Sequence, residues 1–158
     1  MVGSNKVAII GTGFVGATTA FSLLLSDVVG ELVLYDRNKK KAEGRAFDLT
    51  HGTQFAPAIK IVPSDKIKDI KGASVVVITA GAHQEQGETR LDLIKKNASL
   101  FKILMPKLVK VNRNAIYIIV TNPVDICTFL ALKYSKLPKN QVLLTGTALD
   151  TARFMVFL

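Results

Sequence analysis

The sequence predicts an α/β domain in which a parallel β-sheet carries helices on both of its faces. Two observations lead to this prediction. Short apolar runs rich in β-branched residues alternate along the chain with longer segments that have the features of helices. A glycine-rich turn, residues 11–16, joins the first of these runs to the first of these segments.

Six apolar runs are predicted to be strands. Continuous apolar runs of this kind are typical of parallel strands, because helices bury such strands on both faces. The predicted strands are residues 6–10, 31–35, 59–62, 74–79, 115–120 and 141–144.

Five segments are predicted to be helices: residues 13–28, 38–49, 88–111, 123–134 and a fifth that begins near residue 148. Asn38 is expected to cap the second helix, since its side chain can accept a hydrogen bond from the first turn. Pro123 is expected in the first turn of the fourth helix, where its missing N–H breaks no hydrogen bond.

The order of these elements predicts a doubly wound sheet. Right-handed crossovers and six strands together match two mononucleotide-binding halves, with strand order 3-2-1-4-5-6. No linker, low-complexity tract or internal repeat divides the chain, so residues 1–158 are predicted to form a single dinucleotide-binding domain.

The glycine-rich turn predicts a phosphate-binding loop. Its sequence, GTGFVG, fits G-x-G-x-x-G and lies between a predicted strand and a predicted helix, as a Rossmann dinucleotide-binding loop requires. Gly11 would allow the tight turn, Gly13 would let the backbone approach a pyrophosphate, and Gly16 would let helix and strand pack closely. The N–H groups of the helix N-terminus would then face the phosphates.

Asp36 is the expected partner of the adenosine ribose. It ends the second predicted strand, twenty residues after Gly16, where a carboxylate accepts hydrogen bonds from the ribose hydroxyls. The same charge would repel a 2′-phosphate, so NAD is favoured over NADP. Arg37 leaves NADP as an alternative, because a neighbouring arginine can accommodate that phosphate.

Composition narrows the class of protein. Hydrophobic residues make up 49% of the chain, enough for a core, and no apolar stretch is long enough to suggest a membrane span. The N-terminus has no secretory-signal pattern. Cys127 is the only cysteine, so no internal disulfide and no cysteine-based metal site is predicted, and a reducing, cytoplasmic location is expected.

The net charge of +9 favours anionic partners, which include nucleic acid. The lysines cluster at residues 39–41 and 95–96 without interleaved aromatic residues, which a single-strand binding groove would need. Nucleic acid is therefore the less favoured partner, and a solvated lysine surface explains the charge more simply.

Three further motifs resemble those of the L-lactate dehydrogenases, within the lactate/malate dehydrogenase family. They are AGAHQEQGETRLDL at 80–93, TNPVD at 121–125 and GTALDTARF at 146–154. With the glycine loop, they occur in the family's order along nearly the whole chain. The resemblance implies an NAD-dependent transfer of hydride between pyruvate and L-lactate.

The resemblance also implies roles for residues near a substrate. Arg153 would bind the substrate carboxylate through its planar guanidinium, and Arg90 would polarise the ketone oxygen. Asn122 would contact both the nicotinamide side and the substrate. Asp150 would orient a catalytic histidine.

Gln84 indicates which substrate fits. Related malate dehydrogenases carry arginine at the matching position, where it pairs with the second carboxylate of oxaloacetate. A neutral glutamine suits the methyl group of pyruvate, and an unpaired buried carboxylate would be costly. Malate remains the alternative substrate.

The cofactor contacts implied by the resemblance and the glycine loop lie on residues spread along the chain. Lys41 is the residue among them that a solvated lysine at a helix start would explain equally well. The full set is Gly11, Gly13, Val15, Gly16, Asp36, Lys41, Thr79, Gly81, Ala82, Val120, Thr121, Asn122 and Thr145.

The catalytic histidine of the family matches no residue of this chain. His83 has no carboxylate placed to orient it, and His51 is expected to be a capping or surface residue. The apolar tail at residues 154–158 indicates a piece of a longer protein whose substrate domain is not in this chain. We therefore expect the chain alone to be inactive and to self-associate into a homo-oligomer.

Met155 stands where many relatives carry arginine, so activation by a sugar bisphosphate is not predicted. A stand-alone NAD-binding module without turnover is the main alternative to an enzyme half. A basic nucleic-acid binder is the third.

Overall fold

The computed structural model describes residues 5–53, 56–82 and 87–158. Its centre is a six-stranded sheet with strand order β3-β2-β1-β4-β5-β6. Every adjacent pair is parallel, and the predicted doubly wound order is therefore confirmed. The strands are β1 (Lys6–Ile10), β2 (Glu31–Tyr35), β3 (Lys60–Ser64), β4 (Val75–Ile78), β5 (Ile116–Ile119) and β6 (Val142–Leu144).

The helices connect these strands in the predicted alternation. They are α1 (Phe14–Leu25), α2 (Lys39–Gly52), α3 (Arg90–Val111), α4 (Val124–Ser135) and α5 (Gly146–Val156). Two short 3₁₀ helices, Ile67–Ile70 and Lys139–Gln141, were not predicted.

Several predicted boundaries were wrong for identifiable reasons. Helix α1 ends three residues earlier than predicted, with Ser26 as its C-cap. The next residue, Asp27, has a left-handed backbone with φ +57, which a right-handed helix cannot continue through. Strand β3 extends through Pro63, which an edge strand tolerates because the missing N–H breaks no ladder bond there. Pro123 is the N-cap of α4 and lies one residue before the first turn.

Helix starts follow local side-chain chemistry. The side chain of Asn38 accepts a hydrogen bond from the Lys41 N–H at 3.3 Å, as predicted for an N-cap. Helix α3 begins with a reciprocal capping box between Thr89 and Asp92. The N-cap of α1 is Gly13, which has no side chain to cap the helix.

The core has two parts, one on each face of the sheet. Ala8 and Ile10 of β1 belong to a cluster with buried residues of α3 and α4. Val7 and Ile9 belong to a second cluster with buried residues of α1 and α2. Alternate residues of one strand thus point to opposite helical layers, which is why this strand is apolar throughout.

The β6 side of the domain is poorly covered in the described part of the chain. Leu143 and Leu144 are exposed, and α5 contains no buried residue. The apolar residues at 154–158 are all exposed, as the sequence suggested. Among the described residues, no helix has the length and apolar character needed to cross a membrane.

Candidate cofactor site

The predicted cofactor residues lie at one edge of the sheet. The glycine loop follows β1, Asp36 follows β2, and Thr145 follows β6. Segments 79–82 and 120–122 follow β4 and β5. Because all strands are parallel, their carboxyl ends meet at this edge, and β1 and β4 flank the point where the strand order reverses.

The three loop glycines have different surroundings. Gly11 has φ +98, and a Cβ there would lie 2.7 Å from the backbone nitrogen of Ala80. A Cβ on Gly16 would lie 2.0 Å from the carbonyl oxygen of Gly11. A Cβ on Gly13 would meet no protein atom within 4 Å. The protein itself therefore requires glycine at positions 11 and 16, whereas the space beside Gly13 is open.

Asp36 is tied directly to the glycine loop through Thr12, a residue that sequence reasoning did not single out. The Thr12 N–H and hydroxyl both donate to Asp36 Oδ2, at 2.9 and 3.0 Å, and Thr12 is fully buried. The Asn38 N–H donates to Asp36 Oδ1 at 3.0 Å. Asp36 thus holds the loop in register with the end of β2.

These contacts set the charge state of Asp36. Burial alone would raise the pKa of its carboxyl group. The hydrogen bonds from Thr12 and Asn38, with the positive charge of Lys41, outweigh burial and lower the pKa. Lys41 Nζ lies 3.9 Å from Asp36 Oδ2, so this lysine contacts the predicted ribose carboxylate, although its side chain is 45% exposed.

Threonine side chains join the ends of neighbouring strands. The Thr79 hydroxyl donates to the carbonyl oxygen of Gly11 at 2.7 Å. The Thr121 hydroxyl donates to the carbonyl oxygen of Ala80 at 2.8 Å, and a Cβ on Gly81 would lie 2.5 Å from Thr121 Cγ2. The loops after β1, β4 and β5 are thereby held close together, so Thr79 and Thr121 have a structural role in addition to any contact with a ligand.

Asn97 is a second residue that sequence reasoning missed. It lies on α3, is 1% exposed, and connects two loops of the candidate site. Its Oδ1 accepts from the Ala82 N–H at 2.8 Å, and its Nδ2 donates to the carbonyl oxygen of Asn122 at 2.7 Å. The available signal was a polar residue on the apolar stripe of a helix, four residues before the buried Phe101.

The other cofactor candidates lie on the same edge with fewer contacts. Val15 is in the exposed first turn of α1 and lines a cavity of about 430 Å³ with Phe14 and Thr18. Thr145 is the N-cap of α5, and its N–H donates to the carbonyl oxygen of Ile119 at 3.3 Å. Val120 packs against the core cluster on the α1 and α2 side.

The substrate candidates are less well assembled. Arg90 is the exposed first residue of α3, and Asn122 is exposed at the end of β5. Asp150 and Arg153 lie on α5 and pair with each other at 3.4 Å, with side chains 77% and 66% exposed. Within segments 5–53, 56–82 and 87–158, no hydrogen bond or ion pair joins Arg90, Asn122 and Arg153.

The two histidines and Gln84 are the last residues that were singled out from the sequence. His51 lies in the last turn of α2 and is exposed, which fits the expected surface residue. His83 and Gln84 lie outside the described residues.

The edge has the features that a dinucleotide needs. The N-terminus of α1 has no side-chain cap, so its first N–H groups can face a phosphate. The open space at Gly13 lies at this N-terminus. Asp36 already accepts three hydrogen bonds, which leaves about one of its four acceptor positions for a ribose hydroxyl.

Comparisons with known proteins agree with this geometry. Residues 5–144 match the family described as lactate/malate dehydrogenase, NAD binding domain. The chain is 53% identical to an L-lactate dehydrogenase of Thermoanaerobacter sp. (strain X514), covering 98% of this chain and 49% of that protein. An L-lactate dehydrogenase of Acetivibrio thermocellus is 50% identical, with 98% and 48% covered.

Two solved dehydrogenase structures superpose closely on this chain. A lactate dehydrogenase from a Medee basin deep-sea metagenome library superposes with TM-score 0.88 at 43% identity, covering 95% of this chain and 48% of that one. A malate dehydrogenase from Archaeoglobus fulgidus in complex with NADH superposes with TM-score 0.85 at 37% identity, covering 88% and 48%.

The chain spans about half the length of the curated relatives it matches. At the level of the family, NAD is confirmed as the cofactor. The matched residues 5–144 include the glycine loop, Asp36 and the ends of β4 and β5. By this match and by its identity to the relatives above, the chain belongs to the lactate/malate dehydrogenase family, within that family's NAD-binding domain.

Proposed function

We propose that this chain is the NAD-binding half of an NAD-dependent L-lactate dehydrogenase. The observation that carries the proposal is the direct connection of Asp36 to the glycine loop through Thr12. A ribose and a pyrophosphate are adjacent in NAD, and this connection holds their expected partners adjacent at the carboxyl edge of the sheet. When bound, NAD supplies the carbon that accepts or donates the hydride.

Each part of the edge has a separate task in this proposal. Asp36 binds the adenosine ribose and disfavours a 2′-phosphate. The start of α1 binds the pyrophosphate through its N–H groups, next to the open space at Gly13. Thr121 and Asn97 hold the loops after β4 and β5, where Gly81, Ala82, Val120 and Asn122 would face the rest of the cofactor.

The substrate in this proposal is pyruvate or L-lactate. Gln84 favours a methyl group over a second carboxylate, and the relatives named above include two L-lactate dehydrogenases. Arg90 would polarise the ketone, Arg153 would bind the carboxylate, and Asp150 would orient a histidine. Asp150 and Arg153 pair with each other through a single contact of 3.4 Å, which leaves further donors on the guanidinium and further acceptor positions on the carboxylate.

We expect no turnover from the 158-residue chain by itself. Helix α2 has 14 residues and begins at the cofactor edge, so His51 in its last turn lies about 20 Å away. The other histidine of the chain, His83, is expected to lack a carboxylate partner. The exposed apolar residues of β6 and α5 would then be the surface for the part of the relatives' length that this chain does not span, or for a second copy.

A stand-alone module that binds NAD without turnover is the second candidate, and it shares the cofactor site in full. A malate dehydrogenase half and a basic nucleic-acid binder are less favoured. A cytoplasmic location remains a prediction from the single cysteine.

Calorimetric titration with NADH, and with NADPH for comparison, tests the proposal. We expect micromolar to sub-millimolar NADH binding and much weaker NADPH binding. Asp36→Ala should weaken NADH binding and reduce the preference over NADPH, because the repulsion of the 2′-phosphate is removed. The matched control Asp48→Ala changes the same charge on the exposed side of α2 and should bind NADH like the original chain.

Two outcomes would contradict the proposal. Absence of NADH binding at millimolar concentration would mean that this edge does not form a working site in the chain. Equal binding of NADH and NADPH would mean that Asp36 does not face the ribose. For the nucleic-acid alternative, a random oligonucleotide should bind weakly, with an affinity that falls steeply with salt.

A further inference from the structure

A second cavity lies at the opposite edge of the sheet from the glycine loop. It occupies about 570 Å³ between the C-terminal ends of α3 and α4. Its basic lining residues are Lys110, Arg113 and Lys136, and its apolar lining includes Pro106 and Val109. Its volume is in the range of small-molecule sites, but it is a surface depression open to solvent rather than an enclosed cavity.

The three cations come from three places in the chain. Lys110 is in the last turn of α3, Arg113 follows the end of that helix, and Lys136 is the left-handed C-cap of α4. Many other basic side chains pair with carboxylates, as Lys6 and Lys60 do with Glu31. None of the three cations at the cavity forms an ion pair within the described part of the chain.

Acidic residues are nearly absent from this part of the sequence. Between residues 101 and 144 the only acidic residue is Asp125, in the first turn of α4. Lys136 follows eleven residues later, which places the two about 16 Å apart along the helix. The basic residues of the same stretch are Lys102, Lys107, Lys110, Arg113, Lys133, Lys136 and Lys139. Seven cations of this stretch are thus accompanied by a single carboxylate.

The turn that carries Arg113 is held by hydrogen bonds. The Gln141 side chain donates to the carbonyl oxygen of Arg113 at 3.3 Å. The Tyr117 hydroxyl donates to the carbonyl oxygen of Asn112 at 2.6 Å, and Asn112 itself is buried and donates to the carbonyl oxygen of Ala73 at 2.6 Å. A guanidinium on a fixed turn loses little backbone freedom when it binds an anion.

The dipoles of helices α3 and α4 neutralise only part of this positive charge. Each helix C-terminus carries roughly half a negative charge, so α3 and α4 together offset about one positive charge. Lys110 in the last turn of α3 is enough for that purpose. Arg113 and Lys136 lie beyond the helical turns and leave a net positive cavity.

We propose that this cavity binds a polyphosphate group through Lys110, Arg113 and Lys136, at a site separate from the cofactor edge. Arginine and lysine together suit phosphate oxygens, the first by paired N–H donors and the second as a mobile point charge. Tyr134 also lines the cavity, with Lys133 Nζ 6.0 Å from the ring centroid. This ring could support the nucleoside part of a nucleotide.

The test is calorimetric titration of the chain with inorganic tripolyphosphate at low salt and saturating NADH. Saturation with NADH occupies the glycine loop, so that any remaining anion site lies elsewhere. We expect binding to persist, to weaken at least about tenfold in Arg113→Gln and Lys136→Gln, and to fall as salt increases. The matched control Lys102→Gln removes the same charge from α3 about 12 Å before Lys110 and should bind like the original chain.

Three results would overturn the inference: no binding of tripolyphosphate, full displacement of it by NADH, or equal weakening in Lys102→Gln. The last would mean that net charge alone attracts the anion. A parallel titration with ATP distinguishes the source of the polyphosphate. Equal affinity would indicate a free polyphosphate, and tighter ATP binding would indicate a nucleotide that also contacts Tyr134. Thermal unfolding of every variant should match the original chain, because all the substituted side chains are exposed.

Discussion

Replacing single loop glycines by alanine separates what the fold requires from what the cofactor requires. Gly13→Ala and Gly16→Ala add the same methyl group three residues apart in one loop. The methyl group at position 16 would lie 2.0 Å from a backbone oxygen, whereas the one at position 13 would meet nothing within 4 Å. The two variants should therefore differ in opposite ways in stability and in binding.

The stability effects follow from these distances. At position 16 the contact is with the backbone of Gly11, so the loop itself must move, and overpacking of this kind costs about 3 kcal/mol or more. Position 13 has φ −67, which alanine adopts without strain. It is also the N-cap of α1, where alanine is a poorer cap than glycine. A change within about 1 kcal/mol is expected there, because lower chain entropy in the unfolded state offsets part of the lost capping.

For NADH affinity, unlike for stability, Gly13→Ala should have a large effect. If the pyrophosphate lies against the start of α1, the added methyl group occupies its space. A loss of NADH affinity of at least about tenfold, or about 1.4 kcal/mol, is then expected. Urea denaturation followed by circular dichroism gives the stabilities, and calorimetric titration with NADH gives the affinities.

Two results would refute this reasoning. NADH binding by Gly13→Ala equal to that of the original chain would mean that the pyrophosphate does not approach Gly13. A Gly16→Ala chain as stable as the original would mean that α1 does not pack on the loop as closely as described. Gly44→Ala is a suitable control, because a Cβ there also meets nothing within 4 Å and the residue lies within α2, away from the strand ends.

Three further predictions concern single side chains. Asn97→Leu leaves the Ala82 N–H and the Asn122 carbonyl without their partner, so it should destabilise the chain by about 1–3 kcal/mol in urea denaturation. Asn97→Asp keeps the acceptor for the Ala82 N–H but places a buried carboxylate oxygen against the Asn122 carbonyl oxygen, so it should destabilise the chain at least as much; a variant as stable as the original would contradict these contacts. The pKa of Asp36 is lower in the folded chain than its value of about 4 in the unfolded chain, so the ionised carboxylate stabilises the fold above about pH 4. This stabilisation is lost as the pH falls through the folded pKa, and the difference in unfolding free energy between the original chain and Asp36→Asn should therefore shrink in acid. A difference that stays constant down to pH 2 would contradict the assignment. Burial raises the pKa of the Cys127 thiol to about 11. Iodoacetamide should therefore react slowly with the folded chain at pH 8 and quickly with the chain unfolded in denaturant. Equal rates in the two conditions would show that the thiol is accessible in the folded chain.

Element type was predictable from local pattern, while several boundaries were not. The limits of β1 and β2 agree with the prediction, because apolar runs between polar residues define them. The end of α1 was wrong by three residues because it depends on the backbone of Asp27, which no periodicity reveals. Pro63 in β3 was unexpected because the sequence does not show that this strand lies at the edge of the sheet.

Site residues were predictable from the sequence where the residue type and its spacing indicate a single function. The glycines and Asp36 form a spaced pattern whose chemistry can be read directly. Thr12 and Asn97 were missed because threonine and asparagine have many uses, and only their buried hydrogen-bond partners identify the one in use here. The roles of Gln84, Arg90, Asn122, Asp150 and Arg153 remain predictions.

The sequence by itself determined the fold class, the family and the position of the glycine loop, because alternating apolar runs and spaced glycines are local properties of the chain. Only the tertiary structure decided which loops are joined. Thr12 meets Asp36 across 24 residues, and Asn97 meets Asn122 across 25, once parallel strands bring their ends to one edge. It also decided that Lys110, Arg113 and Lys136 share a cavity, because that depends on where two helices end. Contacts distant in sequence arise from packing, and local pattern carries no record of them.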